Sequence, residues 1–111
     1  MIFGSKKDAM PGEIDVSAFD FLRGGTEFAR LWNEDGAGLT AIIEPRGLGA
    51  DPFLFGMAMV DTINHAAKAY AQAVRIPEED ALARIYEGFD AERANPTDVA
   101  RQIDPDTGDE L

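Results

Sequence analysis

The stretch Asp51-Pro-Phe-Leu-Phe-Gly-Met-Ala-Met-Val-Asp-Thr-Ile-Asn-His-Ala-Ala-Lys-Ala-Tyr-Ala-Gln-Ala-Val74 decides the fold of this chain. Its first residue suits a helix N-cap, because an aspartate side chain accepts free backbone N–H groups, and Pro52 suits the first helical position. Apolar residues continue at helical spacing until Pro77 interrupts the pattern. The stretch therefore predicts one long helix from Asp51 to about Val74.

This predicted helix carries a narrow polar stripe on a wide apolar surface. At about 100° per residue, the polar side chains fall within less than a third of the circumference. They are Asp61, Asn64, His65, Lys68, Gln72 and Arg75. A surface helix needs only one apolar stripe, and here the apolar surface covers more than half of the helix. We therefore expect the helix to pack on a sheet with one side, on another helix with a second side, and to contact a second copy of the chain.

A β-hairpin is expected before the long helix, and a second helix after it. Thr26–Asn33 and Leu39–Glu44 have the composition of strands, and Asp35-Gly36 between them is typical of a reversal. After Pro77, apolar residues recur at helical spacing as far as Phe89. The sequence therefore predicts an α+β fold, with an antiparallel β-hairpin followed by two main α-helices.

The remaining segments leave alternatives open. Residues 13–22 alternate at first between polar and apolar side chains, which would extend the hairpin to a three-stranded meander, with Gly24-Gly25 as the turn. Residues 96–103 could form a short third helix or a kinked continuation of the second. We expect a flexible N-terminal arm over residues 1–12, one α+β domain over residues 13–103, and a disordered acidic tail over residues 104–111.

Composition restricts the classes of function. The 111 residues include no cysteine, which excludes disulfide scaffolds, thiolate zinc sites and cysteine nucleophiles. The formal net charge is −11, and most of the excess acid lies after residue 75, so nucleic acid and anionic membranes would be repelled. No apolar run approaches the roughly 20 residues that span a bilayer. We expect a soluble cytoplasmic protein that binds neither nucleic acid nor membrane.

Assembly follows from the predicted strands. Two or three short strands with apolar residues on both faces leave an exposed edge, and a homodimer that joins or covers the sheets would protect it. The acidic surface could also attract a basic protein partner. We therefore expect a homodimer, and consider a separate protein partner as well.

Four residues are candidates for ligand binding. Asp61 and His65 lie four residues apart and face each other across one helical turn, where a carboxylate could orient an imidazole or share a metal ion with it. Two such groups are too few for a metal site, and the polar stripe favours ordinary solvent exposure of both. Trp32 could mark a ligand surface or belong to the core, and Arg30 could join Arg23 and Arg46 in an anion-binding cluster or lie alone on the surface.

The motifs together resemble a known group of proteins. The stretch Phe28-Ala-Arg-Leu-Trp32, the pairs Asp35-Gly36 and Asp51-Pro52, and Asp61-x-x-x-His65 leading to Ala69-Tyr70 resemble a family of small bacterial proteins of unknown function. The resemblance covers roughly residues 26–73. Asn64 and Phe55 depart from it, since an arginine and a tryptophan are expected there. The resemblance supports the fold and implies no activity, cofactor or catalytic residue.

Two hypotheses of function remain. No arrangement of residues is typical of catalysis, and no cofactor motif is complete, so the sequence favours a small, acidic, homodimeric binding or adaptor protein without catalytic activity. The alternative is a protein that binds a small ligand or a metal ion with the helix face of Asp61 and His65.

Overall fold

The computed structural model describes residues 9–36, 38–97 and 101–111. Its elements are three strands, β1 (Ala29–Glu34), β2 (Gly38–Ile43) and β3 (Arg101–Ile103), and two helices, α1 (Pro52–Val74) and α2 (Glu78–Ala94). Short 3-10 helices lie at Asp20–Gly24 and Pro45–Gly47. The predicted α+β fold, with a hairpin followed by two helices, is confirmed.

The hairpin forms where the sequence indicates it. β1 and β2 pair antiparallel, with Arg30 opposite Ile42 and Trp32 opposite Thr40. Gly36 in the connection has a φ of 77°, in the left-handed region that glycine adopts without steric cost. Asp-Gly at this point therefore sets both the position of the reversal and the register of the strands.

The third strand does not come from residues 13–22, so the predicted meander is wrong. Asp15 Oδ1 accepts hydrogen bonds from the backbone N–H and the hydroxyl of Ser17, at 2.9 and 2.7 Å, and this local turn replaces a strand ladder. Gly25 has a φ of −94°, so no hairpin turn forms there. The third strand is instead β3, which pairs parallel with β2 and places β2 in the centre of the sheet.

The segments after α2 also differ from expectation. Residues 101–103 are strand rather than helix, and residues 98–100 lie outside the described residues. The predicted disordered tail turns back at Asp104, whose Oδ1 accepts a hydrogen bond from Asp106 N at 2.7 Å. Glu110 then bridges to Ile103, so residues 104–111 fold onto β3. Backbone pairing, which composition does not reveal, holds them there.

The expected N-terminal arm, residues 1–12, lies only partly within the residues that the structure describes. Residues 1–8 lie outside the described residues, and their flexibility stays a prediction. Residues 9–12 begin a turn in which Glu13 N donates to Met10 O at 3.0 Å. Glu13 also forms an ion pair with Arg30, which holds the end of this segment against β1.

α1 begins as predicted. The side chain of Asp51 caps it by accepting a hydrogen bond from Phe53 N at 3.1 Å, and Pro52 occupies the first turn. Arg75 ends the helix in a left-handed conformation, with a φ of 58°. The pair Asp51-Pro52 therefore determines where the longest element starts.

The two helices pack on each other through small side chains. Ala67 of α1 and Ala81 of α2 are buried, and Lys68 forms an ion pair with Glu78 at 3.0 Å across the same contact. Contrary to expectation, α1 does not pack along the strands in the described structure. The start of α1 contacts the residue before β1, where the Phe55 ring meets the Phe28 ring edge to face. Thr40 is the only other buried residue among those described.

Candidate functional site

An apolar groove lies between β1 and the segment Gly12–Val16. It encloses about 360 Å³, and its described lining is mostly apolar. The lining residues are Gly12, Glu13, Ile14, Val16, Glu27, Ala29, Arg30, Leu31 and Trp32. Since neighbouring residues of a strand point to opposite faces, a groove lined by four consecutive β1 residues must follow the edge of that strand. We call it the β1 groove.

Two of the four predicted site residues meet in the β1 groove. Trp32 is half-buried, and a Cβ added at Gly12 would lie 3.8 Å from its ring carbon Cζ3, so the backbone of residue 12 passes close to the indole. Arg30 lies two residues away on the same face of β1. Gly12 therefore forms part of the wall of the groove beside Trp32.

Arg30 is held by two carboxylates. Its Nε donates to Glu27 Oε2 at 2.9 Å, and its Nη1 donates to Glu13 Oε2 at 3.1 Å. The hydrogen bond that Arg30 donates to Glu27, helped by both negative charges and only partly opposed by burial, raises the pKa of Arg30. One cation facing two anions leaves the polar part of the groove with net negative charge, which favours a cationic ligand over an anionic one.

The three arginines considered for an anion site do not converge. Arg23 pairs with Asp20 at 3.2 Å, three residues away in the same 3-10 helix. Arg46 pairs with Glu44 and, at 3.1 Å, with Asp106 of the folded-back tail. Each arginine is held by different carboxylates, so the geometry provides ion pairs rather than an anion-binding cluster.

Asp61 and His65 lie away from the lining of the β1 groove. Both are exposed on α1, and within the described residues neither side chain takes part in a hydrogen bond or an ion pair. The described part of the chain contains no group of three or more histidine, aspartate or glutamate residues placed to hold a metal ion. Ligand binding by this pair stays a prediction.

Sequence reasoning missed the carboxylate partners of Arg30 and the wall opposite β1. Glu13 is separated from Arg30 by 17 positions, so no local pattern connects them. The alternation Glu13-Ile14-Asp15-Val16 was the available signal, and it is compatible with a strand as well as with a segment lying beside one.

A second apolar surface lies on the first half of α1. Large side chains point outward there, at positions that α2 does not cover. They are Phe53, Leu54, Met57 and Val60, with exposed fractions of 70%, 39%, 55% and 48%. We call them the α1 row. Contiguous exposed apolar side chains of this kind are typical of contact surfaces in small proteins.

Neither helix in the described part of the chain combines the length and the apolar content needed to cross a bilayer.

Comparison with known proteins relates the chain to a family without assigned function. A family model described as a domain of unknown function, DUF5076, matches residues 20–97. A solved structure described as a "putative pyruvate dehydrogenase" from the photosynthetic bacterium Rhodopseudomonas palustrus CGA009 is similar, with 35% sequence identity and a TM-score of 0.54. The similarity covers 82% of this chain and 88% of that one. No curated protein matches the chain.

Proposed function

We propose, for a chain that belongs to the DUF5076 family of unknown function, that it is a small non-enzymatic binding protein acting as a homodimer. The observation that carries this proposal is the α1 row, which presents four large apolar side chains to solvent. The α1 row would bind an apolar patch on a partner protein, and basic residues of the partner would surround that patch.

The exposed side chains of the row can supply the central residues of a protein contact. Burying a large apolar side chain contributes about 1.5–3 kcal/mol, and the row already hides roughly half of its own surface. Phe53, Met57 and Val60 together could therefore contribute about 3–4 kcal/mol to binding before the ordering of the complex is subtracted. This magnitude suits a few central residues of an interface surrounded by weaker polar contacts.

Charge decides which partners are favoured. The chain has a formal net charge of −11 and a sequence pI near 4.3. Long-range attraction would accelerate the encounter with a basic protein, and added salt would slow it. The same charge disfavours nucleic acid and anionic membranes as partners.

The description of the solved relative suggests a different class, a dehydrogenase. The described lining of the β1 groove contains one cation, Arg30, and two carboxylates already hold it. A phosphorylated cofactor is normally held by free cations or by backbone N–H groups at a helix start, and here Asp51 already occupies the start of α1. We therefore propose binding rather than a dehydrogenase reaction.

The test is capture of a partner with variants of the row. Immobilised wild-type protein and Met57→Glu would be exposed to lysate, with Ala69→Glu as the control that adds the same charge at another exposed position of α1. We expect a protein retained by wild type and by Ala69→Glu but lost with Met57→Glu, and titration of the purified partner should repeat this order. Retention by all three proteins would contradict the proposal.

The variant His65→Ala distinguishes the proposed function from the alternative, ligand binding by Asp61 and His65. If the row binds the partner, His65→Ala should retain it. Addition of zinc, nickel or manganese to wild type should leave the melting temperature unchanged. A metal-induced rise in melting temperature that His65→Ala abolishes would instead favour ligand binding by Asp61 and His65.

A further inference from the structure

The two edges of the sheet are protected differently. At the β3 edge, Glu110 bridges to Ile103, and Leu111 N donates to Gln102 O at 2.9 Å. At the opposite edge lies β1, which pairs on one side only with β2. Unpaired edge strands promote pairing with another chain, and natural proteins commonly cover them. Gly12–Val16 borders the β1 edge across the β1 groove and contacts it through side chains, as between Glu13 and Arg30. A strand that pairs with this edge would therefore lie in the β1 groove.

The register shows which backbone groups of β1 are open. Glu44 N donates to Phe28 O at 2.8 Å, which makes Phe28 and Glu44 a hydrogen-bonded pair. In an antiparallel ladder such pairs alternate, so Arg30, Trp32 and Glu34 also direct their backbone groups toward β2. The backbone N–H and C=O groups of the intervening residues Ala29, Leu31 and Asn33 point outward. Within the described residues, no backbone or side-chain group hydrogen-bonds to them.

We propose that β1 of a second copy occupies this edge, antiparallel and centred on Leu31, so that two three-stranded sheets become one six-stranded sheet. This inference rests on the homodimer of the proposed function and names its interface. Leu31 then lies opposite Leu31 of the partner subunit, and Ala29 lies opposite the partner's Asn33. In this register all three outward residues of both copies form backbone hydrogen bonds.

Two other registers of the pair of β1 strands are less favourable. Centring the pair on Arg30 would place two guanidinium groups directly opposite each other, which is unfavourable. Centring it on Trp32 would use only two outward residues of each copy and place Leu31 opposite the partner's Asn33. Leu31 is 59% exposed, and its burial against its own counterpart favours the register centred on it.

Side chains on the other face of β1 support the same register. Arg30 would lie opposite the partner's Trp32, where a guanidinium can stack on an indole. Stacking uses the flat face of the guanidinium, and its edge N–H groups stay directed at Glu13 and Glu27. The existing ion pairs of Arg30 are therefore compatible with the proposed contact.

The exposed surface area of the chain is compatible with a second copy bound at the β1 edge. The structure exposes 9144 Å². A compact monomer of 12.0 kDa exposes about 6,000 Å². The twelve residues outside the described ranges account for part of the difference; in a fully extended chain the same residues would expose about 1,800 Å². The rest of the difference is spread over the whole surface, and it is comparable in size with the roughly 800 Å² that each partner contributes to a standard interface.

The experiment uses the natural absence of cysteine. Leu31→Cys should form a disulfide-linked dimer under mild oxidation, because Cα atoms of a hydrogen-bonded antiparallel pair lie about 5.5 Å apart, within disulfide reach. Ala29→Cys alone and Asn33→Cys alone should not link, because like residues would be about 14 Å apart along the strand. A mixture of these two variants should link to each other. Linkage of Leu31→Cys to Asn33→Cys in preference to itself would overturn the register.

A proline variant tests the interface without oxidation. Leu31→Pro removes an outward N–H that β2 does not use, so the intramolecular ladder should persist. Sedimentation should show at least about a tenfold weaker dimer, since both copies lose a hydrogen bond at the axis. Leu31→Lys should weaken the dimer similarly, and it keeps the test decisive if the proline variant fails to fold.

The outcomes separate this inference from the proposed function. A wild-type dimer that survives both Leu31→Pro and Leu31→Lys would overturn the β1 interface and leave the homodimer intact. Met57→Glu should remain dimeric; if it alone becomes monomeric, the second copy occupies the α1 row instead. A wild-type monomer at high micromolar concentration would overturn both the interface and the homodimer, but not partner binding by the row.

Discussion

Replacing Asp51 by alanine tests the element that organises the fold. The carboxylate of Asp51 accepts a hydrogen bond from Phe53 N at 3.1 Å and satisfies one of the free N–H groups at the start of α1. Loss of an N-cap of this kind reduces the free energy of unfolding by about 1 kcal/mol, within a range of roughly 0.5–2 kcal/mol. For a domain of 111 residues this corresponds to a fall of about 4 °C in melting temperature.

The measurement is urea and thermal unfolding followed by circular dichroism. All variants should be compared at one protein concentration, because a homodimer makes the melting temperature depend on concentration. Asp51→Asn is the matched variant: asparagine caps helices about as well as aspartate and loses only the favourable charge at the positive end of the helix. Asp61→Ala is the second control, since this carboxylate is exposed on the same helix and should change stability by less than about 0.5 kcal/mol.

Two results would refute the reasoning. If Asp51→Ala and wild type unfold at the same urea concentration, the cap does not stabilise α1. If Asp51→Asn is as destabilising as Asp51→Ala, the charge rather than the hydrogen bond is responsible. The expected order of stability is wild type, then Asp51→Asn, then Asp51→Ala.

Three further predictions follow from other contacts. Ala81→Leu should lower the free energy of unfolding by about 1–3 kcal/mol in a urea titration, because the side chain is buried against α1. Gly36→Ala should lower the free energy of unfolding by about 1 kcal/mol, because the φ of 77° at this position is left-handed. Gly88→Ala should raise it by about 0.5–1 kcal/mol, because the position is helical and the added Cβ meets no atom within 4 Å. Calorimetry that shows both variants shifting the stability in the same direction would contradict this. Arg46 lowers the pKa of the Glu44 carboxyl through its side-chain and backbone N–H groups, so this contribution to stability is present above the unfolded pKa and is lost as pH falls through the folded one. NMR titration should show a higher Glu44 pKa in Arg46→Gln, and an unchanged value would show that the ion pair does not form in solution.

Most of the fold could be predicted from the sequence because its signals are local. Asp51-Pro52 determines where α1 starts, and Asp35-Gly36 determines where the hairpin reverses, because each depends on residues within one turn of the chain. The strand at Arg101–Ile103 could not be predicted in the same way. Three residues show no periodicity, and its partner β2 is separated from it by both helices.

The candidate site was predicted only in part for the same reason. Arg30 and Trp32 stand out by residue type, and the structure places both in the β1 groove. Glu13 completes the charge pattern around Arg30 from 17 positions away, through a tertiary contact. Local chemistry therefore identified one wall of the groove, and tertiary structure supplied the other.

The position of β3 has a consequence for the newly made chain. A parallel strand cannot be added by a tight turn, and about sixty residues separate the ends of β2 and β3. At about 5–20 residues per second, translation delivers β3 roughly 3–12 s after β2, whereas a hairpin closes in microseconds. During this interval the central strand has an open side while α1 and α2 are being synthesised. Neighbouring nascent chains on one messenger could then meet strand to strand before either sheet is complete.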